Sequence, residues 1–136
     1  MRQITVRGIP DDLQREIQSR ARGREPLKVR LEEAYTVYVP ATVLGELYAG
    51  FEMGSRLRNN AAELHEFLEQ PDVSVIHTSE NVAERYGKLV LQLRVQETPI
   101  PTNDIWIAAA ALETGSCLLG YDTHFEHVPG LIVESP

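Results

Sequence analysis

Three acidic residues in this sequence have surroundings in which a carboxylate could bind a metal ion. Asp104 directly precedes an uninterrupted apolar run, residues 105–112, and Asp122 follows the apolar stretch "CLLGY". Glu46 lies between two leucines in an apolar segment, where a Glu is seldom buried without a partner. Oxygen ligands of this kind suit Mg²⁺ or Mn²⁺, and a cation so held can activate water against a phosphodiester. The three acids therefore predict metal-assisted hydrolysis of nucleic acid.

Each acid also has an ordinary structural explanation, and the sequence leaves these alternatives open. Asp104 could cap the N-terminus of a helix, where backbone N–H groups lack partners. Asp122 could begin a loop as an Asx-turn residue. Glu46 could lie on an exposed stripe of its helix.

The histidines give a weaker signal. His124 and His127 have the spacing of a helical metal pair, but they lie in a loop-like stretch before Pro129 and Gly130. A zinc site is therefore disfavoured.

The predicted elements alternate between strand and helix. Short apolar strands are expected in "RQITVRGI", "TVYVP", "VSVIHT", "SCLLGY" and "LIVES", and amphipathic or apolar helices lie between them. This order predicts an α/β fold, a three-layer sandwich whose central sheet is mostly parallel and has helices on both faces. In such sheets a site lies at the carboxyl ends of the strands, which is where Asp104 and Asp122 are expected.

Composition and charge limit the class of protein. The chain has 136 residues, of which 43% are hydrophobic and 24% charged, as in one globular domain. No segment is apolar for long enough to cross a membrane and no secretory signal is recognisable, so we expect a cytoplasmic protein. Residues 1–30 contain eight basic and four acidic residues, a balance of +4, whereas the remaining five basic and 16 acidic residues give −11. This asymmetry indicates two segments with different partners.

Three blocks of the sequence resemble one family. "VYVPATVLGELYAGFEMGSR", "PIPTNDIWIAAAAL" and "LLGYDTHFEHVPGL" are similar to the PIN-domain toxins of bacterial toxin–antitoxin pairs, the VapC family. The likeness runs from about Leu27 to Pro136. It implies a PIN-like fold, a Mg²⁺- or Mn²⁺-dependent endoribonuclease acting on RNA, a homodimer, and inhibition by a cognate antitoxin. By motif, Glu46, Asp104 and Asp122 match the family's metal-binding and catalytic acids.

The beginning of the chain departs from this pattern. Family members start with an apolar strand that ends in an additional Asp, and no such strand occurs here. Residues 1–26 instead resemble the start of a ribbon-helix-helix antitoxin, whose outward residues, here Gln3, Thr5 and Arg7, read DNA bases. We therefore divide the chain into an antitoxin-like segment, 1–26, and a PIN-like nuclease domain, 27–136, without its first strand.

The departure leaves three functional hypotheses open. The first is an RNA nuclease, with activity weakened by loss of the first acid unless Asp11 or Asp12 replaces it. The second is a catalytically inactive PIN-fold protein that binds antitoxin or nucleic acid, and the third is a DNA-binding regulator. A smaller departure is Gly120, where the family often has Thr or Ser.

Overall fold

The protein contains a five-stranded, entirely parallel sheet with the order β3-β2-β1-β4-β5. It was studied as a computed structural model that describes residues 3–6, 36–120 and 122–134. The strands are β1 (Gln3–Val6), β2 (Thr36–Pro40), β3 (Val73–Ile76), β4 (Cys117–Leu119) and β5 (Val133–Glu134). The predicted α/β class with a parallel sheet is confirmed.

The first strand lies at the centre of this sheet. β1 pairs in parallel with β2 through Ile4↔Val37 and with β4 through Val6↔Leu119. Ile4, Thr5 and Val6 are all buried, so both faces of the strand are covered. The alternation of polar and apolar residues predicts a strand with one exposed face. That detail is wrong because a central strand of a parallel sheet is packed on both faces.

The burial of Thr5 bears on the hypothesis that this strand reads DNA. Thr5 is completely buried, and its Oγ1 lies 2.5 Å from the Oγ of Ser116, so its side chain is unavailable to bases in this structure. Arg7, Asp11, Asp12 and the predicted junction near residue 26 fall outside the described residues. The division of the chain into segments 1–26 and 27–136 therefore stays a prediction.

Two pairs of helices connect the strands on either side of β3. α1 (Ala41–Met53) and α2 (Leu57–Leu68) link β2 to β3, and α3 (Glu80–Val95) and α4 (Thr102–Thr114) link β3 to β4. A short 3-10 helix, Thr123–His127, follows β4. No helix among the described residues has the length and apolar character needed to cross a membrane.

Two helix ends have a local explanation in the sequence. Ser79 caps α3, because its side chain accepts a hydrogen bond from the N–H of Val82. Gly115 ends α4 in the left-handed conformation, φ 66°, which glycine adopts without strain.

α4 is the helix that packs at the centre of the fold. It contacts β1, β2, β4, α1, α3 and the 3-10 helix. Five of its residues between Ile107 and Ala111 are buried, which explains the absence of a polar face in the sequence. On its outer side Trp106 stacks on Tyr86 of α3, with ring centroids 3.8 Å apart.

The order of the strands creates a switch point between β1 and β4. From β1 the chain builds outwards through β2 and β3, and it then crosses back to place β4 on the other side of β1. Ligand sites in open α/β sheets lie at the carboxyl ends of the strands at such a point. The fold therefore predicts a ligand site among the residues that follow β4 and those at the N-terminus of α4.

Candidate metal centre at the switch point

Asp104 lies in the first turn of α4 with only 2% of its surface exposed. The residue at the N-cap position is Pro101, whose side chain makes no capping hydrogen bond. Pro101 has no backbone N–H to which an acid in the first turn could bond, so a reciprocal capping box cannot form. Asp104 is therefore not the N-cap residue of α4, and the positive end of the helix dipole favours its charge.

Asp122 lies three residues after Leu119, the last residue of β4, and is the N-cap residue of the 3-10 helix. Its Oδ1 accepts a hydrogen bond from the backbone N–H of His124 at 2.9 Å, as expected for an Asx turn. This bond fixes the orientation of the carboxylate. The structural and the functional explanations of Asp122 are thus compatible, because the turn also presents the acid at the sheet edge.

The structure brings Asp104 and Asp122 together around His124. His124 Nδ1 is 3.2 Å from Asp104 Oδ2 and 2.9 Å from Asp122 Oδ1. One ligand atom from each of the three residues lies within 4.8 Å of the others. The two acids are 18 positions apart in the sequence, so their proximity is a product of the fold.

Glu46 is placed differently from these two acids. It is half-buried in α1, beside the buried stripe formed by Val43, Leu47 and Phe51. α1 begins directly at the carboxyl end of β2, and Glu46 is about 8 Å further along its axis at 1.5 Å per residue. Among the described residues, the cluster within 4.8 Å comprises Asp104, Asp122 and His124, and does not include Glu46. Its role as a third acidic ligand stays a prediction.

His124 is the residue that sequence reasoning underrated. Its spacing from His127 suggested only a disfavoured zinc pair, and His127 is not part of the cluster found among the described residues. His124 contacts Asp104, 20 residues earlier, as well as Asp122, and no local spacing reveals the contact with Asp104. The available signal was its position two residues after an acid that follows a strand.

The donor set is suitable for a divalent cation. Two carboxylates held close together repel each other unless a positive charge lies between them. His124 supplies that charge when protonated, and its side chain is 45% exposed and so has room to turn outward. Carboxylates suit Mg²⁺ and Mn²⁺, whereas an imidazole ligand suits Zn²⁺, Cu²⁺, iron or Ni²⁺. The residues present therefore fit a divalent ion.

Fold and site together define an α/β protein with an acidic centre at the switch point of a parallel sheet. The sequence profile of the PIN domain matches residues 16–131, and the chain belongs to the PIN-domain family. It is 30% identical over 95 residues to Ribonuclease VapC4 of Mycobacterium tuberculosis, an alignment that covers 70% of this chain and 73% of that protein. The predicted resemblance to VapC ribonucleases is confirmed.

Solved structures show the same fold. The DNA-bound VapBC of Salmonella typhimurium superposes with a TM-score of 0.81 at 20% identity, covering 99% of this chain and 98% of that one. VapBC2 of Rickettsia felis, bound to a promoter DNA fragment, superposes with a TM-score of 0.75 at 22% identity and covers 98% of both chains. At these identities the likeness establishes the architecture, and the chemistry must be argued from the site.

Proposed function

We propose that this protein is the endoribonuclease toxin of a toxin–antitoxin pair and that it hydrolyses RNA with the help of Mg²⁺ or Mn²⁺. The observation that carries the proposal is the meeting of Asp104, Asp122 and His124 at the switch point of a PIN fold. The relationship to a ribonuclease at 30% identity supports RNA as the substrate class.

Each side chain has a distinct part in this mechanism. Asp104 and Asp122 bind the cation, with Glu46 as the third acid. A divalent ion supplies a Lewis acid for the phosphate and lowers the pKa of an attacking water. His124 Nδ1 lies between the two carboxylates and would be a further ligand for the ion. Burial of Asp104 excludes water from one side of the site, which strengthens the electrostatic interactions there.

The decisive experiment compares RNA cleavage by the wild type, Asp104→Asn and Asp72→Asn. Asp72 directly precedes β3, so it lies at the amino edge of the sheet, opposite the site. Asp72→Asn makes the same chemical change and should retain Mg²⁺-dependent cleavage. Asp104→Asn should lower the rate by at least about 100-fold, the scale on which single electrostatic contributions to catalysis are measured. Equal cleavage by the wild type and Asp104→Asn would refute the proposal.

A second candidate function is a PIN-fold protein that binds without cleaving. It is favoured by the sequence of β1, "QITV", which occupies the centre of the sheet and contains no acid. The loss of a first acid also leads us to propose an activity weaker than that of toxins that have it. Calorimetric titration with millimolar Mg²⁺ and Mn²⁺ separates the two functions, because only the nuclease requires a cation at Asp104.

We further propose that the chain acts as a homodimer and is held inactive by a cognate antitoxin in the cytoplasm. Leu91 and Val95 lie one turn apart on α3 and are 63% and 74% exposed, an apolar stripe of the kind that interfaces cover. Leu91→Arg should convert a dimer to a monomer in sedimentation experiments. The antitoxin is tested by purifying the chain from cells. A single small protein should co-purify with it, and that protein should be absent after the chain is denatured, separated and refolded alone.

A further inference from the structure

A groove of about 310 Å³ lies between the end of α3 and the start of α4, beside the candidate metal centre. Its walls are mostly apolar and also contain one basic and one acidic side chain, Arg94 and Glu97. The lining residues are Val90, Leu93, Arg94, Glu97, Pro99, Ile100 and Ile105. We propose that this groove binds one guanine base of the RNA, next to the phosphodiester that is cleaved. The inference rests on the proposed nuclease function and adds a specificity determinant to it.

Two structural links run from the groove to the segments that carry the candidate metal ligands. Ile105, in its wall, follows Asp104 directly, so their Cα atoms are about 3.8 Å apart. At the other end the Gln96 side chain donates a hydrogen bond to the carbonyl of His127, 3.0 Å away. That bond ties the end of α3 to the 3-10 helix that begins after Asp122. The groove therefore shares the head of α4 with Asp104, and the end of α3 beside it is hydrogen-bonded to the 3-10 helix.

The charged side chains of the groove are available to a ligand. Arg94 and Glu97 are both exposed, and neither side chain forms an ion pair or hydrogen bond with another described residue. A guanidinium donates hydrogen bonds and a carboxylate accepts them. Guanine offers both complements, because O6 and N7 accept while the adjacent N1–H and N2–H groups donate. Adenine, cytosine and uracil lack that adjacent pair of donors, which a carboxylate can bind with both oxygens.

The size and walls of the groove agree with a single base as occupant. Its volume is at the lower end of the range of ligand pockets, about 300–1,000 Å³. Enzymes that read an unstacked base hold it between aromatic or apolar side chains and bind its edge through hydrogen bonds. Val90, Pro99 and Ile100 provide such accessible apolar surface here. An apolar side chain of a protein partner would leave Arg94 and Glu97 without complements.

The backbone at Glu97 is a separate indication that its side chain matters. Its φ of 60° is the only positive value at a non-glycine residue in the described part of the chain. This left-handed conformation closes the end of α3, a position at which glycine is normally unstrained. Strained residues of this kind cluster at functional sites. The side chain at this position is thus held at the rim of the groove despite a conformational cost.

The test is binding of labelled hexauridylates that carry one central guanine, inosine or adenine, measured by fluorescence anisotropy. Asp104→Asn protein in EDTA is used so that no cleavage occurs. We expect the guanine oligomer to bind about tenfold more tightly than the adenine oligomer, as for one well-formed bidentate contact. Inosine lacks the N2 amino group and should bind with intermediate affinity.

Substitutions of Arg94 and Glu97 at the rim decide whether the groove is responsible for the preference for guanine. Glu97→Gln should abolish the difference between guanine and inosine, and Arg94→Ala should weaken binding of both. The matched controls Glu66→Gln and Arg58→Ala change exposed charges on α2, outside the groove, and should retain the guanine preference. Equal binding of the three oligomers, or a preference unaffected by Glu97→Gln, would overturn the inference.

The outcome is separable from that of the proposed function. If the wild type cleaves no RNA with Mg²⁺ or Mn²⁺, the nuclease proposal fails while the anisotropy series still reports on the groove. If the wild type cleaves and its cut sites, mapped on a random RNA pool, are unchanged in Glu97→Gln, the nuclease stands and the guanine site is refuted. Cut sites that lose their guanine preference in Glu97→Gln support both.

Discussion

Residues 3–6 should contribute to stability as a buried central strand, and two substitutions measure this contribution. Thr5→Val replaces a hydroxyl by a methyl group of similar size, so it removes the contact with Ser116 without opening a cavity. Ser116 Oγ keeps Thr114 Oγ1 at 2.8 Å and the carbonyl of Ala111 at 3.4 Å. The loss is therefore one hydrogen bond, about 1 kcal/mol of the free energy of unfolding.

Ile4→Ala should cost more than Thr5→Val. Ile4 is completely buried and lies between Val37 and Cys117 in the two adjoining strands. Truncating a buried isoleucine to alanine costs about 2–5 kcal/mol, because a cavity is added to the lost burial. At about 4 °C per kcal/mol for a chain of this length, the melting temperature should fall by roughly 10 °C, against about 4 °C for Thr5→Val.

Urea unfolding followed by the fluorescence of Trp106 measures both effects. It is the only tryptophan of the chain, and its stacking on Tyr86 is lost on unfolding. Thr78→Val, at an exposed position before α3, is the matched control and should change stability by less than about 0.5 kcal/mol. If Ile4→Ala and Thr5→Val are as stable as this control, residues 3–6 do not form the central strand. The hypothesis of a DNA-reading ribbon would then regain support.

Three further predictions concern the site and the groove. Glu97→Gly should raise the free energy of unfolding by about 1 kcal/mol in calorimetry, because glycine relieves the left-handed strain, whereas Gly115→Ala should lower it by a similar amount. Mn²⁺ at 100 times its Kd should stabilise the wild type by about 2.7 kcal/mol in thermal unfolding, and a shift of the same size in Asp104→Asn would contradict a site there. Asp122→Asn keeps an oxygen for the Asx turn, so it should lose metal affinity without losing stability. Asp122→Ala should lose metal affinity and also destabilise the 3-10 helix by about 1 kcal/mol. Unfolding in the absence of metal measures this difference in stability.

Helix ends and the burial of apolar segments could be predicted from the sequence, because each depends on neighbouring residues alone. Ser79 caps α3 and Gly115 ends α4 because each residue satisfies its own helix end, whatever surrounds it. The apolar run 105–112 has no polar face and therefore had to be buried. The positions of Asp104 and Asp122 at the carboxyl edge follow from the same alternation of strands and helices.

The parts that sequence could not supply depend on contacts between distant segments. Whether β1 lies at the edge or the centre of the sheet is decided by its pairing with β2 and β4. The alternation of polar and apolar residues within β1 carries no information about these neighbours. His124 lies beside Asp104 because the 3-10 helix packs against the head of α4. The placement of Glu46 relative to the acids depends on the direction of α1 after β2, which no residue spacing encodes.

The central strand has a consequence for the site even though it contributes no ligand from residues 3–6. β1 separates β2 from β4, and neighbouring strands lie about 4.8 Å apart, so the ends of β2 and β4 are held roughly 10 Å from each other. α1, with Glu46, continues from β2, and Asp122 follows β4. Direct pairing of β2 with β4 would halve that distance and displace one acid relative to the other. The central strand therefore sets the distance between the two segments that carry Glu46 and Asp122.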